Sequence, residues 1–271
     1  MTDCSSSDDR STLLWLMASN LVPLCGLVFF DWRADETLLV YWIGVTTTIV
    51  FYSGLVLFAA REPTLDGRDR GVRAVPVPGI SSRSGWVQPV EWLPPINYWN
   101  VQFVLWPLLL GMLFWLPSGT ILIDFLNPDP ILVRGSPVDD YIGVVSAAAS
   151  VETVAAGLGV AALQAISEAW EFVSRRQYEA VSALDLAEIP SRIGLYWFTA
   201  TICTFVILIL TWPFVGRFDP TTITEARVLV CFLGLKLTLD WSLVQIRRGN
   251  GPSRLLQWLT LGWTGPVHRT E

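Results

Sequence analysis

Six long apolar segments run along the chain, with polar connections between them. They lie at residues 13–30, 38–60, 101–116, 142–166, 193–214 and 228–246. A helix rises about 1.5 Å per residue and needs roughly 20 residues to cross the hydrocarbon of a bilayer. Only a structure that satisfies its own backbone hydrogen bonds can cross lipid, so each segment is predicted to be a helix. The pattern therefore predicts an all-α integral membrane bundle of six transmembrane helices, with residues 1–271 as a single transmembrane domain.

The third segment and the connection before it are the least regular part of this pattern. Pro117 follows the segment, and either the helix continues through residues 120–126 or that stretch lies along the outer surface. The connection 61–98 is rich in Pro, Gly, Arg and Ser, which predicts an irregular cytoplasmic loop. Its Trp86, Trp92 and five arginines either rest on anionic headgroups or are solvated.

The arginines are divided unequally between the two sets of connections. Thirteen lie in the tails and in the second and fourth connections: Arg10, Arg61, Arg68, Arg70, Arg73, Arg83, Arg175, Arg176, Arg192, Arg247, Arg248, Arg254 and Arg269. Four lie in the other connections: Arg33, Arg134, Arg217 and Arg227. Because cytoplasmic loops carry an excess of Lys and Arg, this split predicts six crossings of the cell membrane, with both termini in the cytoplasm.

The composition fits a membrane protein and argues against a nucleic-acid partner and against a metal site. The chain is 52% hydrophobic and 15% charged, with a mean hydropathy of +0.48, and its net charge of −6 argues against nucleic acid as a partner. An acidic chain with Lys236 as its single lysine is typical of a haloarchaeal source, although a GC-rich genome produces the same arginine bias. The four cysteines lack metal-binding spacing, and the single histidine, His268, lies in the tail. We therefore expect no metal and no other cofactor.

Three ionisable residues lie inside predicted spans, Glu152 in the fourth and Lys236 and Asp240 in the sixth. Each costs roughly 2.5–3.5 kcal/mol at a helix centre, so we expect the three side chains to face the bundle interior and to meet there. Lys236 and Asp240 are four residues apart, which makes them neighbours on one helical face. Two interpretations stay open. The first is a buried ion pair that fixes helix packing, beside a neutral Glu152, and the second is a cluster that responds to protons or ions.

The fourth span is also rich in small residues. Gly143 and Ala147, and likewise Ala155 and Gly159, are four residues apart and predict a close approach of helix backbones. The approach is either within the bundle or along a seam between two copies. In the first span, Asn20 is expected to hydrogen-bond to another helix or within its own.

Four short motifs lie in or beside these segments: NLVPLCG at 20–26 followed by Trp32, LVYW at 39–42, PSRI at 190–193 and LKLTLD at 235–240. In these motifs the chain resembles a family of archaeal and bacterial multi-pass membrane proteins known only as a domain of unknown function. The resemblance implies the fold and the membrane location, and it implies no activity. The chain departs from the family in having Gly44 where members carry a glutamate, and in lacking a histidine within the spans.

The sequence carries no motif of a common catalytic class, such as a G-x-S-x-G elbow, a Walker loop or an H-E-x-x-H pair. We therefore expect a non-enzymatic scaffold or partner subunit, whose partners are the bilayer and another membrane protein or a second copy. The alternative is a small proton- or ion-coupled transporter or channel that uses Glu152, Lys236 and Asp240. An enzyme acting on lipid is less favoured, because no nucleophile–base pair is visible.

Overall fold

The computed structural model of the protein is helical through most of the residues it describes. These residues are 17, 19–61, 75, 85–88, 90–91, 93–126, 137–174, 176–215 and 220–247. The helices are α1 (Ser19–Phe29), α2 (Ala34–Leu55), α3 (Leu105–Leu126), α4 (Pro137–Ala148), α5 (Val151–Ser174), α6 (Gln177–Ala180), α7 (Ala183–Val215) and α8 (Pro220–Arg247). The prediction of a helical protein is confirmed.

Short irregular elements join α2 to α3. A 3-10 turn at Val56–Phe58 ends the α2 region, and a second one at Tyr98–Phe103 leads into α3. Between them lies a two-stranded antiparallel ribbon of β1 (Trp86–Val87) and β2 (Ile96–Asn97), in which Trp86 pairs with Asn97. The described part of the predicted loop 61–98 therefore contains regular structure next to the start of α3.

Three helical stretches are long and apolar enough to cross a membrane: Ala34–Phe58, Tyr98–Leu126 and Ala183–Thr211. The pair of α4 and α5 meets the same test together, but the two helices are bent by 93° at their junction. The apolar helix Ser19–Phe29 is shorter. Among the described residues there are thus three helices suited to cross a bilayer, or four if the bent pair is one span, and the total of six stays a prediction.

The third predicted segment continues beyond Pro117 as part of α3. A proline inside a helix removes one backbone hydrogen bond, but it does not end this helix. Leu122 and Ile123, which follow it, are almost fully buried, so packing offsets the lost bond. The open question about residues 120–126 is therefore decided in favour of one continuous helix.

The fourth predicted segment, 142–166, is not one helix, because the chain breaks after Ala148 and α5 begins at Val151. Ser150 and Thr153 cap the new helix together. The Ser150 backbone N–H donates to Thr153 Oγ1 at 2.9 Å, and the Thr153 backbone N–H donates to Ser150 Oγ at 3.1 Å. These bonds satisfy donors that a helix start leaves free, in the manner of a capping box.

The chain packs into two compact units, each made of several stretches. Unit 1 contains Met1–Thr46, Trp115–Gln164 and Tyr196–Trp241, and unit 2 contains Thr47–Phe114, Ala165–Leu195 and Ser242–Glu271. The long helices α2, α3, α5, α7 and α8 contribute residues to both units.

Unit 1 has an aromatic core. Trp115 of α3 and Trp197 of α7 are fully buried, with ring centroids 5.3 Å apart. Trp197 also stacks on Phe232 of α8 at 4.5 Å, and the Trp115 indole N–H donates to Thr46 Oγ1 of α2 at 2.9 Å. Aromatic pairs of this kind contribute about 0.5–1.5 kcal/mol beyond their buried area. Four helices are therefore joined at this point.

Unit 2 contains a close crossing of α3 and α7 at two glycines. A Cβ atom placed on Gly194 would lie 2.5 Å from the carbonyl oxygen of Gly111. One placed on Gly111 would lie 2.8 Å from the carbonyl oxygen of Pro190. Because these neighbours are backbone atoms, no side chain fits at either position, and the two helices touch through their main chains.

Candidate functional site

Lys236 and Asp240 form an ion pair one turn apart on α8. Lys236 Nζ lies 2.6 Å from Asp240 Oδ2, and the two side chains are only 7% and 13% exposed. They share the inward side of α8 with the buried residues Val228, Phe232 and Leu239. The two charges therefore neutralise each other in the interior of unit 1.

Two other helices supply polar groups around this pair. Asn20 of α1 donates its side-chain amide to Asp240 Oδ2 at 2.9 Å, and Tyr41 of α2 donates its hydroxyl to the backbone carbonyl of Asn20 at 2.8 Å. Lys236 Nζ lies 5.8 Å from the centroid of the Tyr41 ring, within the range of a cation–π interaction. We call Asn20, Tyr41, Lys236 and Asp240 the polar cluster. It links α1, α2 and α8.

Aromatic side chains surround the polar cluster. The Phe232 ring lies 5.6 Å from the Tyr41 ring, and Tyr196 of α7 donates its hydroxyl to the backbone carbonyl of Leu235 at 2.7 Å. In such low-dielectric surroundings a hydrogen-bonded ion pair is held firmly, and a single unpaired charge is costly. The cluster is thus suited to fix the register of three helices.

Glu152 does not join the polar cluster. It lies in the first turn of α5, its side chain is exposed, and within the described structure it forms no ion pair or hydrogen bond with Lys236 or Asp240. The prediction placed it in mid-span because it assumed one helix over 142–166. Since Ser150 starts a new helix, Glu152 is instead at a helix N-terminus, where a negative charge is favoured by the helix dipole.

The structure shows no close backbone contact at the described small residues Ala147, Ala155 and Gly159 of the fourth span, and a seam between two copies stays a prediction. Gly143 is half-buried, Ala147, Ala155 and Gly159 are exposed, and a Cβ atom on Gly159 would meet nothing within 4 Å. The close approach on α5 is instead at Gly157, where a Cβ atom would lie 2.7 Å from Cδ1 of Ile43 on α2.

Another tight contact in unit 1 is at Gly119 of α3, which lies directly against the Trp42 ring of α2. Spacing alone identified small residues but not the face of the helix that packs.

A second buried ion pair was missed by sequence reasoning. Glu188 and Arg192 form it on α7 in unit 2, and both side chains are less than a fifth exposed. The fifth span was predicted to begin at residue 193, which left both residues in a loop. The structure begins α7 at Ala183, after Ser182, whose hydroxyl donates to Asp185 at 2.7 Å. The spacing of four residues between Glu188 and Arg192 could have predicted this pair, because residues four apart are neighbours on one face of a helix.

No metal centre is visible in the part of the chain that the structure describes. There, no three His, Cys, Asp or Glu side chains come together in a group that could hold a metal ion. The polar cluster itself offers one carboxylate and one amide oxygen beside an ammonium group, which is a poor donor set for a cation.

Taken together, the fold and the cluster define a helical protein with at least three helices suited to cross a membrane and a buried, charge-compensated polar cluster. The chain belongs to a family of unknown function, DUF6498, whose model matches residues 2–254. The resemblance predicted from the sequence motifs is confirmed. No curated protein and no solved structure matches the chain. The four residues of the polar cluster all come from the motifs at 20–26, 39–42 and 235–240.

Proposed function

We propose that the protein is a non-enzymatic membrane component that serves as a scaffold or partner subunit in a membrane assembly. The observation that carries this proposal is that the charges of the polar cluster are paired with each other. Lys236 and Asp240 neutralise each other at 2.6 Å, and Asn20 adds a hydrogen bond from another helix. Groups that carry ions or protons through a membrane protein lie along a path that water can reach. The two side chains of this pair are only 7% and 13% exposed, and the Tyr41 and Phe232 rings lie beside them.

The proposed topology has six crossings of the cell membrane, with both termini on the cytoplasmic side. Its support is the division of the arginines, thirteen against four, between alternate connections. It requires α1 and α8, as well as the bent pair of α4 and α5, to be membrane-embedded. Attachment of a cytoplasm-specific reporter to each terminus tests it, and a reporter signal from only one end would refute the arrangement.

Isolation of the intact protein from its native membranes in a mild detergent tests the scaffold role. We expect a second membrane protein, or a second copy of the chain, to co-purify at a fixed molar ratio and to stay bound through size-exclusion chromatography. Cross-linking before solubilisation should capture the same species. A protein that remains a single copy without any stoichiometric partner under both conditions would contradict the proposal.

The second candidate function is proton- or ion-coupled transport. One observation favours it: Asp240 is a buried carboxylate in a hydrogen-bonded network that reaches three helices. The purified protein in liposomes should then carry a proton or cation flux that Asp240→Asn abolishes. The scaffold proposal expects the flux of wild type and variant to equal that of protein-free liposomes.

A further inference from the structure

The β1–β2 ribbon lies at the ends of two helical stretches that are suited to cross a membrane. Strand β2 contacts the turn Val56–Phe58, which ends the first stretch, and runs directly into the second stretch, Tyr98–Leu126. Asn100 ties the two ends together by donating its side-chain amide to the carbonyl of Ala59 at 2.8 Å. The ribbon, the turn Val56–Phe58, Ala59 and Asn100 all belong to unit 2. The ribbon therefore lies next to the end of the first helical stretch and the start of the second.

Large apolar side chains are exposed on and beside this ribbon. Trp86, Val87, Val90 and Trp99 are each between 39% and 50% exposed. Trp86 pairs with Asn97, two residues before Trp99, so both indole rings lie near the start of the helical stretch. Tryptophan combines an apolar ring with a polar N–H group and is enriched at the boundary between membrane and water.

We propose that the β1–β2 ribbon lies in the lipid headgroup region of the bilayer, with Trp86 and Trp99 as its anchors. The bilayer is the occupant of this apolar surface because the ribbon is continuous with the helical stretch that enters the membrane. The proposal depends on the membrane location of the protein and not on the scaffold role. A surface anchor at this point would fix how deeply the ends of α2 and α3 sit in the bilayer.

Spin labels on the full-length protein in lipid nanodiscs test the location of the ribbon. The four native cysteines are replaced by alanine, and Val87→Cys and Val90→Cys are labelled separately. The matched control is Glu179→Cys in unit 2, an exposed and charged position. The accessibility of each label is measured from its collisions with molecular oxygen, which concentrates in lipid, and with a nickel chelate, which stays in water. We expect collisions with the nickel chelate to be several-fold rarer at positions 87 and 90 than at position 179.

The role of the two tryptophans is tested in the Val90→Cys background, because Val90 lies outside both strands. Trp86→Ser/Trp99→Ser should raise the nickel collision rate at position 90 towards that at position 179. Trp170→Ser, which removes an exposed tryptophan from α5, should leave it unchanged. Equal nickel collision rates at positions 87, 90 and 179 in the starting protein would overturn the proposal. No response to the double substitution would overturn the assignment of the anchors.

Discussion

Each unit contains a buried ion pair between residues four apart on one helix, and the two pairs run in opposite order. In unit 2 the acid comes first, Glu188 before Arg192, which is the order that an isolated helix favours. In unit 1 the base comes first, Lys236 before Asp240, which is the weaker order. The Asn20 amide and the Tyr41 ring, from two other helices, support the unit 1 pair. The unit 1 pair is therefore supported by contacts from two other helices in addition to the contact within α8.

The helices near the two pairs also meet in different ways. In unit 2, α3 and α7 touch through backbone atoms at Gly111 and Gly194, close to the ion pair on α7. In unit 1, the link from α8 to α1 is a side-chain hydrogen bond between Asn20 and Asp240. We therefore expect the polar cluster of unit 1 to respond most to changes of polar groups, and the glycine crossing of unit 2 to changes of volume.

Breaking the ion pair of unit 1 should have the largest effect. Asp240→Asn keeps the shape of the side chain but leaves the Lys236 ammonium buried without its counter-charge. We expect the free energy of unfolding to fall by about 3–5 kcal/mol, measured by reversible unfolding in lipid–detergent bicelles. Asp31→Asn, at an exposed carboxylate of unit 1, is the control and should change it by less than about 0.5 kcal/mol. Equal losses in the two variants would refute the cost assigned to the buried charge.

Removing the hydrogen bond from α1 should have the next largest effect. Asn20→Leu keeps the number and branching of the side-chain heavy atoms and deletes the amide, so the Asp240 carboxylate loses the hydrogen bond that it accepts from Asn20. We expect a loss of about 1.5–3 kcal/mol in the same unfolding measurement. In the Asp240→Asn background the same substitution should cost much less, because the charge it serves is gone. Full additivity of the two losses would show that the residues do not interact.

Gly194→Ala, at the glycine crossing of unit 2, places a methyl group against the backbone of Gly111. We expect the free energy of unfolding to fall by about 1–3 kcal/mol. Gly159→Ala is the matched control on α5, where the added methyl group meets nothing within 4 Å. Alanine is favoured over glycine inside a helix, so this control should gain about 0.5–1 kcal/mol. Thermal unfolding of both variants measures the contrast, and changes of the same sign would argue against the backbone contact.

The smallest effect is expected from Tyr41→Phe. The substitution removes the hydroxyl that donates to the Asn20 carbonyl and keeps the ring beside Lys236. We expect the free energy of unfolding, measured in the same bicelles, to fall by about 0.5–1.5 kcal/mol, the usual contribution of a single hydrogen bond. A loss as large as that of Asp240→Asn would mean that the hydroxyl, and not the ion pair, holds the cluster together.

Hydrophobic pattern predicted the helical class and, for five of the six segments, one helical stretch that covers most of the described residues of the segment. It did not predict the break at Ala149 and Ser150. The small residues around the break do not interrupt the apolar pattern, and hydropathy does not register that Ser150 and Thr153 cap a new helix. Glu152 was misplaced for the same reason. The spacing of Lys236 and Asp240 indicated their shared face, but Asn20 and Tyr41 come from distant parts of the chain. Only the folded arrangement of three helices brings them to the ion pair.

We propose that the polar cluster is a packing contact between helices, which apolar side chains of similar size can replace, and that it carries no charge across the membrane. The triple variant Asn20→Leu/Lys236→Met/Asp240→Leu tests it directly, because it replaces the polar groups by apolar side chains of similar size. We expect an unfolding free energy equal to or above that of the wild type, since apolar replacement of a buried ion pair is often neutral or stabilising. We also expect the triple variant to co-purify with the same partner. A folded triple variant that has lost a flux or a partner present in the wild type would refute the packing role.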